Sequence, residues 1–294
     1  MRAVTRGTAV VLMLITPVMW SIGGVVIRHI ERATPLEQVF WRSLFAGLFV
    51  AAAIAALHRT PPWRVALAAG WAGAFSSLMW ATMFTAFIIS LSFTTTANAL
   101  VLTSISPLVT ALLARAVLGE RVPARTLLAA TIAALGIAWM FKDGLSAQHF
   151  AGLMFALVIP LAAAANVVTM RARAARPDMV AGVMVGAFLS SVFALMLAPP
   201  FAASARDLAL LALLGVVQLG VPCMLLVIAS RSLPGPEILL LGLLEVVLGT
   251  LWAWLGAGED PGAATIAGGA IVLGALAGNE LAALRAARRG ATPA

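Results

Sequence analysis

Leu118-Gly119-Glu120-Arg121-Val122-Pro123 comes back in shortened form as Ala257-Gly258-Glu259-Asp260-Pro261. Each stretch follows one apolar run and opens another, and the runs that follow carry Gly136 and Gly274. The Gly-Glu pairs stand 139 residues apart, the prolines and later glycines 138, so the second copy lacks one residue. Nearer the front of each half, Gly7 with Arg28 matches Gly152 with Arg173 at a separation of 145. Pro17 and Pro160 lie close to the same register, and Pro35 and Pro177 open the second helix of each half. This internal echo divides the chain into 1–144 and 145–294, and a repeat of this length sets the topology before any single helix is read.

Between these landmarks the composition is that of a chain dissolved in lipid. Of 294 residues, 62% are hydrophobic and 10% charged, against about 25% charged in soluble proteins, and the mean hydropathy is +1.05. A membrane-crossing helix takes roughly 20 apolar residues. The apolar runs predict ten of them, near 8–28, 36–57, 66–91, 96–118, 124–141, 149–170, 178–198, 207–230, 236–256 and 263–283. Arg2 and Arg6 ahead of an apolar run resemble a signal peptide, but the run is long, holds Trp20 and lacks a small-x-small cleavage site, so an uncleaved first helix is expected. Ten spans put both termini on one side, together with 14 of the 19 basic residues; Arg28, Arg32, Arg42, Lys142 and Arg206 fall on the other. The positive-inside rule then makes both termini cytoplasmic in a multi-pass protein of the inner membrane. Five helices per half is an odd number, so the second copy inserts upside down. The expected fold is an all-α integral membrane protein of ten transmembrane helices in two inverted five-helix repeats. Such repeats mark secondary transporters, whose substrate site lies near the midplane.

Several chemistries are excluded. The single cysteine, Cys223, allows no intramolecular disulfide and no cysteine cluster for a metal. The only lysine, Lys142, is not in a G-x-x-x-x-G-K-[ST] motif, so there is no P-loop. His29, His58 and His149 fall at or near loops, which speaks against intramembrane haem or histidine-bound metal. No cofactor, nucleic acid or obligate protein partner is implied; the expected partners are a small-molecule substrate and the bilayer.

Trp20-Ser21 sits about a dozen residues into the first helix. The second opens Pro35-Leu36-Glu37-Gln38-Val39-Phe40-Trp41-Arg42, and the fourth runs from Asn98 through Ser106-Pro107-Leu108 to Leu118-Gly119-Glu120-Arg121. The pattern resembles the drug/metabolite transporter superfamily in its EamA-type ten-helix form, with that family's proline-to-arginine opening and its proline followed by a terminal Gly-Glu. The second half departs from the pattern: its ninth helix has Glu245 opposite Ser106 and no matching proline, and its seventh has Met184 in place of the arginine. Among members the chain looks most like the YddG-type exporters of aromatic amino acids. The resemblance implies that helices one, three, four, six, eight and nine surround the pathway, with five and ten peripheral.

An ionisable side chain inside the membrane is a functional candidate by default. Glu245 is the clear case; Gly249 and Trp252 share its face at i+4 and i+7. It is suited to a substrate ammonium group or a coupling proton. Arg42 and Arg115 sit nearer segment ends, where long side chains snorkel. Asn166 and Thr169 share a face of the sixth helix, Gln218 precedes Pro222 by one turn, and Thr103, Ser106 and Thr110 form a stripe on the fourth with Asn98 further out. Ser77 and Thr82 bracket Trp80, while Met79 and Met83 offer a deformable apolar surface. Trp20, Ser21 and Trp80 complete the candidate wall. For any one of these, helix–helix bonding or packing is the plain alternative. Pro17, Pro107, Pro160 and Pro222 are candidate hinges. Gly182-x-x-x-Gly186 and Gly274-x-x-x-Gly278 predict close backbone contacts.

These residues point to an exporter of small metabolites, foremost amino acids with aromatic or apolar side chains. It would work by alternating access, with facilitated diffusion favoured over proton coupling. A zwitterion needs a donor for its carboxylate, such as Asn166, Gln218, a helix end or Arg42. The alternative is a multidrug exporter of hydrophobic cations, proton-coupled through Glu245. One intramembrane glutamate without an intramembrane histidine argues against an enzyme.

Overall fold

The computed structural model describes residues 4–58, 61–141, 147–172, 179–197, 201–230, 232–233 and 235–290. Lys142, Pro177 and the orienting arginines Arg2, Arg59, Arg173, Arg176 and Arg231 lie outside them. Among the described residues every regular element is a helix, the form in which a spanning segment satisfies its own backbone. In chain order these are α1 (Arg6–Ile27), α2 (Pro35–His58), α3 (Pro62–Ala68), α4 (Gly70–Leu91), α5 (Thr96–Ser104), α6 (Ser106–Leu118), α7 (Ala124–Met140), α8 (Ala147–Ala172), α9 (Met179–Leu197), α10 (Ala205–Leu213), α11 (Val221–Ala229), α12 (Gly235–Gly242), α13 (Leu244–Ala257) and α14 (Ala263–Gly290). A π-helical segment, Leu214–Gly220, joins α10 to α11.

Nine helical stretches of the described residues are long and apolar enough to cross a membrane. The fifth expected span is the exception. As α7 it has 17 residues, about 25 Å of helix against a hydrocarbon core of about 30 Å. The expected third span is also two pieces: α3 ends at Ala68, and Gly70 starts α4 with φ 58°.

The candidate hinge prolines divide. α1 and α8 run unbroken through Pro17 and Pro160. The helix is interrupted at Ile105, two residues before Pro107, and turns π-helical just before Pro222. A proline removes a backbone donor and crowds the carbonyl four residues back, which the wider π turn relieves. The ninth span breaks as well, at Leu243, without a proline. Ile105 and Leu243 are 138 residues apart, the separation of the sequence echo. Gly242, a poor helix former, was the available signal. The two quoted Gly-Glu motifs are equivalent in conformation: Gly119 and Gly258 end α6 and α13 at φ 68° and 66°, left-handed turns that favour glycine.

α1 packs along α13 and α11, α8 along α4, α5 and α6, α2 along α9, and α7 along α14. Small residues decide where backbones meet. A Cβ at Gly186 would stand 2.8 Å from the Ser77 carbonyl oxygen of α4, and one at Gly136 2.9 Å from the Gly268 carbonyl oxygen of α14. Gly274 and Gly278 face open space, so the close contact expected of them falls on Gly136 and Gly268 instead. Gly186→Val should therefore open the α4–α9 seam and destabilise the protein by about 1–3 kcal/mol, read as a lower melting temperature in detergent. Gly274→Val should not show that packing loss, and equal losses in both variants would refute the seam.

Hydrogen bonds fix the relative directions. Arg6 bonds Glu237 at 2.9 Å, joining the starts of α1 and α12. Arg28 bonds Glu259 at 3.0 Å, joining the ends of α1 and α13. Glu259 also holds the first turn of α5 through the Thr96 backbone N–H and hydroxyl, so α5 and α6 run opposite to α1. α1 thus begins at the end of the bundle where α6 turns into α7.

Candidate functional site

A cavity of about 700 Å³ opens inside the bundle. Its deep part is walled by Trp20 of α1, Arg42 of α2, Trp80, Met83 and Phe84 of α4, and Gln218 of the π segment. It extends past the broken fourth and ninth spans to Glu120, Arg121 and Pro123 in the exposed α6–α7 turn. The cavity is therefore open at the end where α1 begins.

The opposite end is sealed by polar groups on helix ends. Besides Glu259, Arg28 donates to the carbonyl oxygens of Leu91 and Thr94, both at 2.9 Å. The buried Glu37 carboxylate accepts from the backbone N–H groups of Ala203 at 2.8 Å and Ala202 at 3.0 Å. Asp207, also buried, accepts from those of Glu31 and Arg32, both at 3.1 Å. Its own helix is capped reciprocally by Ser204. The Ser204–Asp207 spacing is a capping-box signature that the sequence reading passed over.

Of the candidates read from the sequence, Trp20, Trp80, Met83, Thr103, Ser106, Asn166, Gln218 and Glu245 line the cavity. Ser21, Ser77, Met79, Asn98, Thr169 and Trp252 do not. Ser21 donates to the Val18 carbonyl and accepts from the Trp252 indole at 3.1 Å, tying α1 to α13. Ser77 donates to the Gly73 carbonyl within α4. Asn98 accepts from Thr265 at 3.1 Å and so ties α5 to α14. The Ser21 and Asn98 bonds join helices and the Ser77 bond closes on its own helix; in lipid every polar group needs such a partner. Of the hinge candidates, Pro107 alone lines the cavity.

The largest correction concerns Arg42. Position near a segment end predicts snorkelling, and Arg115 is indeed exposed. Arg42 instead is 2% exposed and lies in the cavity wall. Glycines explain its neighbour: Gly215 brings the π segment against the Arg42 carbonyl, and a Cβ at Gly220 would meet the Phe49 ring at 2.6 Å. That approach carries Gln218 to Arg42. Gln218 Oε1 accepts from Arg42 Nε at 3.2 Å and Nη2 at 3.0 Å, while its amide donates to the Trp20 carbonyl at 3.2 Å. The guanidinium lies over the Phe87 ring, 5.7 Å from its centre. Glu245 lines the same cavity from the first turn of α13. Phe87 and Cys223 are further wall residues not selected from the sequence. Among the described residues no cluster of three metal-ligating side chains occurs.

A multi-pass helical bundle enclosing a cavity with a few polar groups is the architecture of a membrane transporter. Residues 7–142, just under half of the chain, match the EamA-like transporter family, a match that places this stretch in the drug/metabolite transporter superfamily. Thirteen chains of solved structures match. One crystal structure has a TM-score of 0.66 at 18% identity, over 96% of this chain and 99% of that one, a likeness of fold. No curated protein matches the sequence.

Proposed function

We propose that this protein is an exporter of small metabolites, foremost amino acids with aromatic or apolar side chains, moving them by alternating access through the central cavity. The observation that carries this reading is the wall itself. Trp20, Trp80, Phe84, Phe87 and Met83 supply an apolar surface for a side chain, and Arg42, Asn166, Gln218 and Glu245 supply a few polar groups in the same space. That mixture is typical of a small-molecule site.

Two inverted five-helix repeats, with α7 as the fifth span and both termini cytoplasmic, complete the proposal. The packing supports it. Exchanging the halves turns the α1–α13 contact into the α8–α6 contact, and the α4–α8 contact into the α11–α1 contact. In this orientation the cavity faces the cytoplasm and the Arg28–Glu259 end faces away.

Facilitated diffusion is the favoured mode. Labelled phenylalanine should enter proteoliposomes saturably without a pH gradient, and Glu245→Gln should leave downhill flux near normal at neutral pH. Uptake only under an imposed gradient, or flux abolished in Glu245→Gln, would replace this mode by proton coupling. Glu245 within an aromatic wall is also what favours the second reading, export of hydrophobic cations. Uptake of an aromatic amine without uptake of phenylalanine would select it.

A further inference from the structure

We infer that Arg42 is the residue that reads the substrate's carboxylate, so that the cavity selects organic acids and zwitterions and rejects amines. The inference deepens the amino-acid reading above and rests on it for the identity of the ligand's side chain.

An arginine keeps its proton in any protein environment. Arg42 is therefore a permanent positive charge, and it is 2% exposed. Burying a charge is costly unless a partner compensates it. The ion pairs among the described residues hold Arg6, Arg28 and Arg206. The bonded partner of Arg42 is the neutral Gln218. Its third nitrogen, Nη1, is buried with no hydrogen-bond partner. In the register of the sequence echo the second half has Met184 at this place, itself buried in an apolar cluster, and Glu245 lines the same cavity without an ion pair to Arg42.

Meanwhile the guanidinium is held rigid. Gln218 grips two of its nitrogens, the Trp20 carbonyl fixes Gln218, and Phe87 lies against its face. A rigid fork with vacant donors in the wall of a cavity is suited to a carboxylate, which arginine binds with matched geometry. Among the described residues the other buried side-chain polar atom without a partner is an acceptor, Asn166 Oδ1, in the wall formed by α8. A donor group and an acceptor group left open in one cavity are complementary to a ligand bearing a carboxylate and an N–H, as an α-amino acid does. A hydrophobic cation would be repelled by Arg42, and a neutral ligand could accept its hydrogen bond without balancing its charge.

Three ligands of one shape separate the possibilities: phenylalanine, 3-phenylpropanoate and phenethylamine, titrated calorimetrically into the detergent-solubilised protein. Phenylalanine and 3-phenylpropanoate should bind and phenethylamine should not. Arg42→Gln should weaken both acids about 10- to 100-fold, the range for a charged hydrogen bond, and Arg42→Lys less. The ligand series needs no variant, so it decides even where Arg42→Gln does not fold. Labelled phenylalanine uptake into proteoliposomes tests the underlying reading separately. Uptake with phenethylamine binding as tightly as phenylalanine, and Arg42→Gln without effect, would overturn the role of Arg42 and leave the amino-acid reading standing. Absent uptake with Arg42-dependent binding of 3-phenylpropanoate would overturn the amino-acid reading and sustain the carboxylate site. Binding of neither acid would overturn both.

Discussion

Glu259→Ala is expected to unlatch the sealed end of the bundle. One carboxylate joins three helix ends there: it pairs with Arg28 from the end of α1, receives the Thr96 backbone N–H and hydroxyl at the start of α5, and extends from the end of α13. Arg28 adds the last carbonyls around α4. Removing the carboxylate leaves a cation and a helix N-terminus without their acceptor. The Arg28 side chain is 32% exposed and that of Glu259 13%, so water recovers part of the loss. About 2 kcal/mol is a reasonable scale for a charge-assisted pair so placed, equivalent to about 30-fold in the balance between closed and open ends. The readout is a cysteine at Ser106, in the cavity wall, on a Cys223→Ser background. A membrane-impermeant maleimide applied from the sealed side should label it at least about tenfold faster in Glu259→Ala. Asp260→Ala is the control, since the Asp260 side chain bonds the backbone N–H of Gly262 two residues on. Unchanged labelling in Glu259→Ala would remove this contact from the gating account.

Glu37→Ala should produce the largest loss of stability. The Glu37 carboxylate is 1% exposed. It accepts from the Ala202 and Ala203 backbone and, at 3.4 Å, from the Trp41 indole. Alanine leaves part-buried donors without their acceptor, each costing up to about 1–3 kcal/mol where water does not reach it, so a total of about 3 kcal/mol follows. In detergent this reads as a melting temperature lower by roughly 10 °C. Glu37→Gln keeps one acceptor oxygen and should lose about half as much. Asp207→Ala should fall in the same direction, because it frees the Glu31 and Arg32 donors that pin the turn between α1 and α2. A Glu37→Ala protein as stable as wild type would show that water replaces the carboxylate at this end.

Much of the architecture was legible in the residues because its causes are local or periodic. Hydrophobic run length predicts spanning helices wherever the solvent is lipid, and nine of the ten expected spans have helices of that length. Gly-Glu at 119–120 and 258–259 announced two helix ends, and both glycines adopt the left-handed turn that only a residue without Cβ takes freely. Pro107 announced a break in the fourth span. The break in the ninth had no proline to mark it, and α7 is shorter than its apolar run implies.

The site was legible by residue type and not by direction. Polarity inside an apolar run picked out Asn166, Gln218 and Glu245, which line the cavity, together with Ser21 and Asn98, which bond neighbouring helices, and Ser77, which bonds the backbone of its own helix. Helical spacing says which residues share a face, but not which neighbour that face meets. Arg42 shows the limit most clearly. Position along the chain placed it near a span end, whereas its surroundings are set by α4 and by the π segment, 176 residues away at Gln218.

What the sequence by itself determined is therefore an integral membrane protein, the places where its helices end, and the echo between its halves, because each follows from hydropathy, turn chemistry and repetition along the chain. Only the tertiary structure decided that Arg42 is buried beside Gln218 and that glycines at 136, 186 and 268 are the close contacts. It also decided that carboxylates at 37, 207 and 259 seal one end of the bundle while a cavity opens at the other. Those outcomes depend on which helices meet, and partners far apart in the chain are chosen by packing that no local pattern encodes.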